Sequence, residues 1–188
     1  MEAKTSTPKL VKPQDCMVIV IDVQKKLTAH IAETDKIVSK ILKLIRLSRL
    51  IEVPVLVTEQ ENLGDTVDEI RLELTGMTGN TPVRKLSFSC FGEESFTRRL
   101  ATYDRRTLIL TGIETHICVA QTALGAPSGF RSVVVADATA SRSTFDKETA
   151  MARLKDNSIT ITSTDMLMYE LLQTAGTDTF RAALPLLK

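Results

Sequence analysis

The 188-residue chain sets 24 Lys+Arg against 23 Asp+Glu and is 43% hydrophobic and 25% charged, the proportions of a globular domain. A net charge of +1, no Trp and 4% aromatic residues argue against both the basic footprint and the stacking platform of a nucleic-acid binder. No apolar run approaches the ~18–20 residues of a membrane span, residues 1–12 are too polar for a signal peptide, and an odd count of three cysteines does not suit a disulfide framework, so a reducing, cytoplasmic setting is expected. This length predicts a single domain over 1–188, with the polar, Pro-punctuated residues 1–15 as a lead-in arm.

Residues 16–22 read CMVIVID, apolar at every position rather than at alternate ones, as in a parallel strand covered on both faces. Residues 35–51 place Ile37, Ile41, Leu44, Ile45 and Ile51 at helical spacing. VPVLVT at 53–58 is a second strand. The connection 59–82 carries Gly64, Gly76, Gly79 and Pro82 and one short helix over 65–74; long connections of this kind are usually functional or mobile. A short third strand over 83–86 and a helix over 93–102 follow, then TLILTGI at 107–113 and a helix opening near Thr115. SVVVAD at 132–137 and ITITS at 159–163 are the fifth and sixth strands, flanking a helix over 145–155. Helices over 164–175 and 179–187 close the chain, with Pro185 expected to break the last.

Strictly alternating strands and helices predict a three-layer α/β/α domain around a six-stranded parallel, doubly wound, Rossmann-like sheet in the order 3-2-1-4-5-6. Ligands of such sheets bind beyond the carboxyl ends of the strands, which directs attention to Asp22, Glu59, Lys85, residues 113–118 and Asp137. The chain after the first strand, DVQKKL, has no glycine for a dinucleotide fingerprint. A P-loop and a G-x-S-x-G elbow are both absent from the sequence. A second aspartate two residues after Asp22, expected of an aspartyl-phosphate enzyme, is replaced by Gln24. Only His30 and His116 are present, and Cys16, Cys90 and Cys118 are widely spaced, so no metal site is expected.

In TGIETHICV (111–119), Thr115 is placed to cap a helix and Cys118 to be its third residue. A thiol there feels unpaired N–H groups and the positive end of the helix dipole, which lower its pKa and can hold an oxyanion. A small cysteine packed under the sheet is the plainer reading. His116 cannot serve as its base, because residues two apart on a helix do not face each other. Asp22 can, since the first and fourth strands neighbour at the switch in strand order; its plainer reading is a turn or helix cap. Lys85, after the third strand, is either a cation beside the thiol or a solvated charge.

Taken together, VIDVQKKL, RKLSFSCF and TGIETHICV resemble, in order and spacing, the signature segments of the isochorismatase-like cysteine hydrolases. The resemblance spans residues 17–163, and the TEQ and GIETHICV details look most like the isochorismatase-domain-containing hydrolases, whose substrates are not established. It implies a catalytic triad of Asp22, Lys85 and Cys118, a cis peptide between Ile113 and Glu114, and an oxyanion hole from the backbone N–H groups of Glu114 and Cys118. It also implies a homo-oligomer acting on a small-molecule substrate without a cofactor. Gln60, Phe88, Phe91 and His116 are candidate pocket residues, and Cys90 stands as a packing substitution where the family has a small residue. The segment TEQENLGDTVDEI lacks the histidine of the nicotinamidase metal cluster. Retention of Cys118 points to amide-like or ureide-like C–N bonds through a thioacyl-enzyme. The alternatives are isochorismatase-type vinyl-ether hydrolysis and a non-catalytic binding or assembly relative.

Overall fold

The computed structural model describes residues 10–78 and 80–188; Gly79 and residues 1–9 of the expected arm lie outside the described residues. Six strands, β1 (Cys16–Ile21), β2 (Val55–Gln60), β3 (Val83–Lys85), β4 (Thr107–Ile113), β5 (Arg131–Ala140) and β6 (Thr160–Thr162), form one sheet. The order is β3-β2-β1-β4-β5-β6, every pair parallel, as the alternation predicts.

Burial on both faces explains the unbroken apolar runs. Successive β1 side chains point to opposite sides: Cys16, Val18 and Val20 enter a core with α2 (Thr34–Leu50), α3 (Asp68–Glu73), α7 (Thr164–Leu172) and α8 (Asp178–Leu187). Met17, Ile19 and Ile21 enter the other, with α4 (Glu94–Ala101), α5 (Ala120–Leu124) and α6 (Thr144–Asp156). A one-turn α1 (Lys25–Thr28) precedes α2.

Four local expectations change. Val11 is 2% exposed and its N–H donates to Glu170 Oε2 at 2.8 Å, so the end of the arm docks on α7 instead of leading in freely. Strand β5 runs three residues past Asp137, because buried Ala138 and Ala140 continue the ladder beyond a bulge opposite Leu110 and Gly112. Asp137 does not face the switch-point crevice: its Oδ1 accepts from Thr164 N and Oγ1 at 2.7 and 2.9 Å, capping α7. Pro185 lies inside α8. So close to the helix end a proline forfeits one backbone bond, while Phe180, Leu186 and Leu187 still pack on the core.

Candidate active site

Asp22 follows β1 at φ 53°, a left-handed conformation that aspartate tolerates better than most residues. Its side chain is fully buried. Thr58 on β2, one register step away opposite Ile21, donates from Oγ1 to Asp22 Oδ1 at 2.7 Å and fixes the carboxylate plane. Lys85 ends β3, two strands away, roughly 10 Å at ~4.8 Å per strand, so only a long side chain bridges the gap. Its Nζ reaches to 2.7 Å from Asp22 Oδ2 and 3.6 Å from Cys118 Sγ, with the Lys85 and Asp22 side chains both 0% exposed. Gln60 Oε1 at 2.7 Å and the carbonyls of Ser87 and Phe88 at 3.2 and 3.3 Å complete the ammonium's shell.

The Lys85–Asp22 contact is an ion pair whose directions are off those of a hydrogen bond. Oδ2 is accordingly buried with no hydrogen-bond partner among the described residues. It is an acceptor with an unused lone pair beside a thiol, the requirement for a base.

The chain leaves β4 through Gly112 at φ 131° and Glu114 at φ 58°, ψ 65°. A left-handed conformation costs a non-glycine residue about 1–2 kcal/mol. Cys118 is the fourth residue of a π-helical turn, Thr115–Val119, that runs into α5; such turns are rare and frequent at functional sites. Thr115 does not act as the cap, and its buried Oγ1 has no partner among the described residues. Nor is the Ile113–Glu114 bond cis, for no cis peptide occurs among the described residues. Glu114 instead follows the strand with a positive φ.

The thiol's environment also differs from expectation. Burial, followed by the Asp22 carboxylate, pushes Cys118 up to about 12, with Lys85 acting in the opposite direction. Burial acts to lower the Lys85 pKa, but Asp22 and then Cys118 outweigh it, and the net shift is upward. Burial therefore favours the thiol form of Cys118, and the neighbouring carboxylate favours the ammonium form of Lys85. Burial raises Cys90 to about 11 and Cys16 to about 12. Cys118, 6% exposed against 0% for the other two, is expected to be alkylated first by limiting iodoacetamide. Its rate should rise about tenfold per pH unit from 7 to 10 with no plateau, because thiolate fraction sets the rate. Peptide mapping that finds Cys16 or Cys90 modified first, or a plateau below pH 8.5, would contradict this. Since all three folded pKa values exceed the ~8.5 of a free thiol, the folded chain holds more protons above that pH. Stability is thus full below ~8.5 and declines as pH rises toward the folded values.

Other sequence candidates fall into place differently. Gln60 holds Lys85 through Oε1 and donates from Nε2 to Leu86 O at 2.9 Å. Phe88 contributes its carbonyl, while its ring is exposed. Phe91 packs edge-on to Phe96 at 5.5 Å and beside Phe130. It lines a cavity of about 410 Å³ with Leu100, Tyr103 and Arg106, near the amino ends of β4 and β5, which none of Asp22, Lys85 and Cys118 lines. His116 Nδ1 lies 3.0 Å from Ser141 Oγ and 3.3 Å from Glu114 Oε2. Glu59 Oε1 accepts from Thr66 N and Oγ1 at 2.7 and 2.8 Å. Glu59 and Gln60 line a cavity of about 320 Å³ with Lys26, Asp65 and Arg84, which none of Asp22, Lys85 and Cys118 lines. Among the described residues no group of three or more His, Cys, Asp or Glu is placed to hold a metal ion.

Sequence reasoning missed Thr58 and Gln24. The strand order puts Thr58 beside the end of β1, so its hydroxyl was findable from register alone. Gln24, fully buried, accepts from Gln60 N at 2.9 Å and donates to Gln60 O at 2.9 Å, a side-chain imitation of a sheet ladder that holds the residue holding Lys85. Cys90 was read as packing alone; it is buried beneath the site, its N–H donating to Thr122 Oγ1 at 3.0 Å one turn after Cys118.

Comparison with known proteins identifies the family and the fold. Residues 16–166 match the family model described as the Isochorismatase domain. The isochorismatase domain-containing protein 2A of Mus musculus is 31% identical over 192 residues, covering 100% of this chain and 90% of that protein. A structure described as the MAR1 ribonuclease of Caenorhabditis elegans superposes with a TM-score of 0.86 at 28% identity, covering 95% of this chain and 92% of its own. The YcaC gene product of Escherichia coli, described as an octameric hydrolase of unknown specificity, superposes at 0.87 with 23% identity over 97% and 91% of the two chains; at that identity the likeness is one of fold. No helix among the described residues is long and apolar enough to cross a membrane. With the family model spanning strands β1 to β6, and a relative above 30% identity aligned along the whole length, the chain belongs to the isochorismatase domain family.

Proposed function

We propose that this protein is a cysteine-dependent hydrolase of a small amide-like or ureide-like C–N bond, acting through a thioacyl-enzyme. The observation that carries the reading is the buried cluster in which Lys85 Nζ lies 2.7 Å from Asp22 Oδ2 and 3.6 Å from Cys118 Sγ. Asp22 Oδ2 takes the Cys118 proton as sulfur attacks the carbonyl carbon, and Lys85 stabilises the thiolate as it forms. The backbone N–H groups of Glu114 and Cys118 hold the oxyanion. Collapse expels the amine, which leaves with the proton from Asp22. Water, deprotonated by Asp22, then attacks the thioester; the acid departs and the proton returns to sulfur. A thiol of pKa about 12 suits this sequence, since it is deprotonated only when a carbonyl is present to be attacked.

A homo-oligomer is part of the proposal, supported by the octameric description of the YcaC neighbour. A cytoplasmic location is supported by three free, buried thiols.

The test is an activity screen on amides, ureides and isochorismate, with Cys118→Ala as control. The expected result is C–N hydrolysis abolished by Cys118→Ala, a mass adduct of the acyl group on Cys118, and a rate unchanged after dialysis against a strong chelator. Isochorismate turnover that survives Cys118→Ala would establish the vinyl-ether alternative. A loss on chelation that zinc, manganese or iron restores would revive a metal-dependent, nicotinamidase-like reaction.

A further inference from the structure

The thioacyl reaction requires the N–H groups of Glu114 and Cys118 to be held still, and the turn that carries them has an anchor that the triad does not use. Glu114 is only 4% exposed although its backbone is left-handed. Its Oε1 accepts from Arg142 Nε at 2.8 Å, Arg142 N approaches Oε2 at 3.4 Å, and His116 Nδ1 lies 3.3 Å from Oε2. The same His116 nitrogen is 3.0 Å from Ser141 Oγ. These contacts join the head of the Cys118 turn to the two residues that follow β5. Strands β4 and β5 end side by side, Ile113 opposite Ala140, so the carboxylate closes across both strand ends.

A glycine would adopt this backbone without strain. Glutamate at the position makes sense only if its side chain is used, and every side-chain contact found for it is with Arg142 or with His116 of its own turn. The arrangement is pre-organisation: strained backbone persists where its surroundings over-determine it, and oxyanion donors act only when aimed in advance.

We infer that the Glu114 side chain, clamped by Arg142, is a positioning residue that aims the oxyanion-binding N–H groups. The inference rests on the reading of Cys118 as the acylated nucleophile. Its role is on the acyl step, where a carbonyl oxygen becomes negative, and not on the reactivity of sulfur itself.

Two neutral probes separate those effects. Iodoacetamide alkylates sulfur by displacing iodide and forms no oxyanion. p-Nitrophenyl acetate acetylates sulfur through a tetrahedral oxyanion and releases p-nitrophenolate, which is read by absorbance. Arg142→Met and Glu114→Gln should each slow acetylation at least about tenfold while alkylation of Cys118 stays within ~3-fold, because only the first reaction uses the donors. Arg142→Lys, which keeps one charged donor, should recover part of the acetylation rate. Arg142 is half-exposed, so Arg142→Met carries the test even where Glu114→Gln fails to fold. An unchanged ratio of acetylation to alkylation in folded Arg142→Met would overturn the inference, as would both rates falling together. If neither probe distinguishes wild type from Cys118→Ala, the nucleophile reading itself has failed, and the clamp's role with it.

Discussion

Asp22→Asn and Lys85→Met should each reduce turnover by about 10²–10⁴-fold, the usual worth of a positioned proton-transfer group. They should also lower stability by about 3–5 kcal/mol, because either change leaves an uncompensated charge or a broken pair in a buried site. The Lys85 and Asp22 side chains are both 0% exposed and 2.7 Å apart, so solvent screens neither. The activity loss and the stability loss are separable. In the double variant Asp22→Asn/Lys85→Met no charge is stranded, so denaturant unfolding should show it more stable than the sum of the single losses, while turnover stays at least as low as in either single variant. A single variant with near-normal turnover would demote its residue to a structural role. A double variant exactly as unstable as the sum would show that the pair is not coupled.

Gly112→Ala is expected to cost about 2–6 kcal/mol, combining a backbone-strain cost and an overpacking cost of ~1–3 kcal/mol each. Gly112 sits at φ 131° opposite Ile21, and a Cβ there would come within 2.0 Å of the Ile21 carbonyl oxygen. The obstacle is backbone in the central strand pair, which cannot move aside as a side chain can. Because β1 leads into Asp22 and β4 leads to Cys118, spreading the pair also separates the Asp22 carboxylate from the thiol. Gly129→Ala is the matched control: φ is 96°, with nothing within 4 Å of the added Cβ, so it bears the strain cost alone. Urea titrations of the two variants should differ by at least ~1 kcal/mol. Equal midpoints would mean that the approach of β1 and β4 tolerates a methyl group.

The parallel sheet was legible because its signal is local and redundant. CMVIVID, TLILTGI and SVVVAD are apolar on both strand faces, and only a sheet covered twice asks for that. Asp22 and Cys118 were brought together by strand order alone, since parallel neighbours deliver their carboxyl ends to one crevice. Lys85 was not reachable in this way. Its strand is short and lies at the sheet edge, two strands from Asp22, and its place in the site came from the resemblance of RKLSFSCF to a family segment.

The thiol's pKa shows why the rest was hidden. A helix terminus readable along the chain, and a cation supplied by the resemblance, argued for a lowered value; burial and the Asp22 carboxylate reverse the sign. Desolvation depends on atoms contributed by every layer of the fold, and no window of sequence contains them. The same holds for Glu114, whose partner Arg142 is 28 residues away and meets it only because β4 and β5 end together.

By itself, then, the sequence determined the alternation of elements, the order in which a doubly wound sheet places them, and the two strand ends where the candidate residues Asp22 and Cys118 lie, because hydrophobic periodicity and chain connectivity are properties of neighbours along the chain. The tertiary structure alone decided which oxygen of Asp22 is left without a hydrogen-bond partner, that Gln60 holds the lysine, that Glu114 follows β4 with a positive φ, and that burial raises the pKa of the cysteine. Each of those depends on distances and burial between residues far apart in sequence, and electrostatics and hydrogen-bond geometry act through space rather than along the chain.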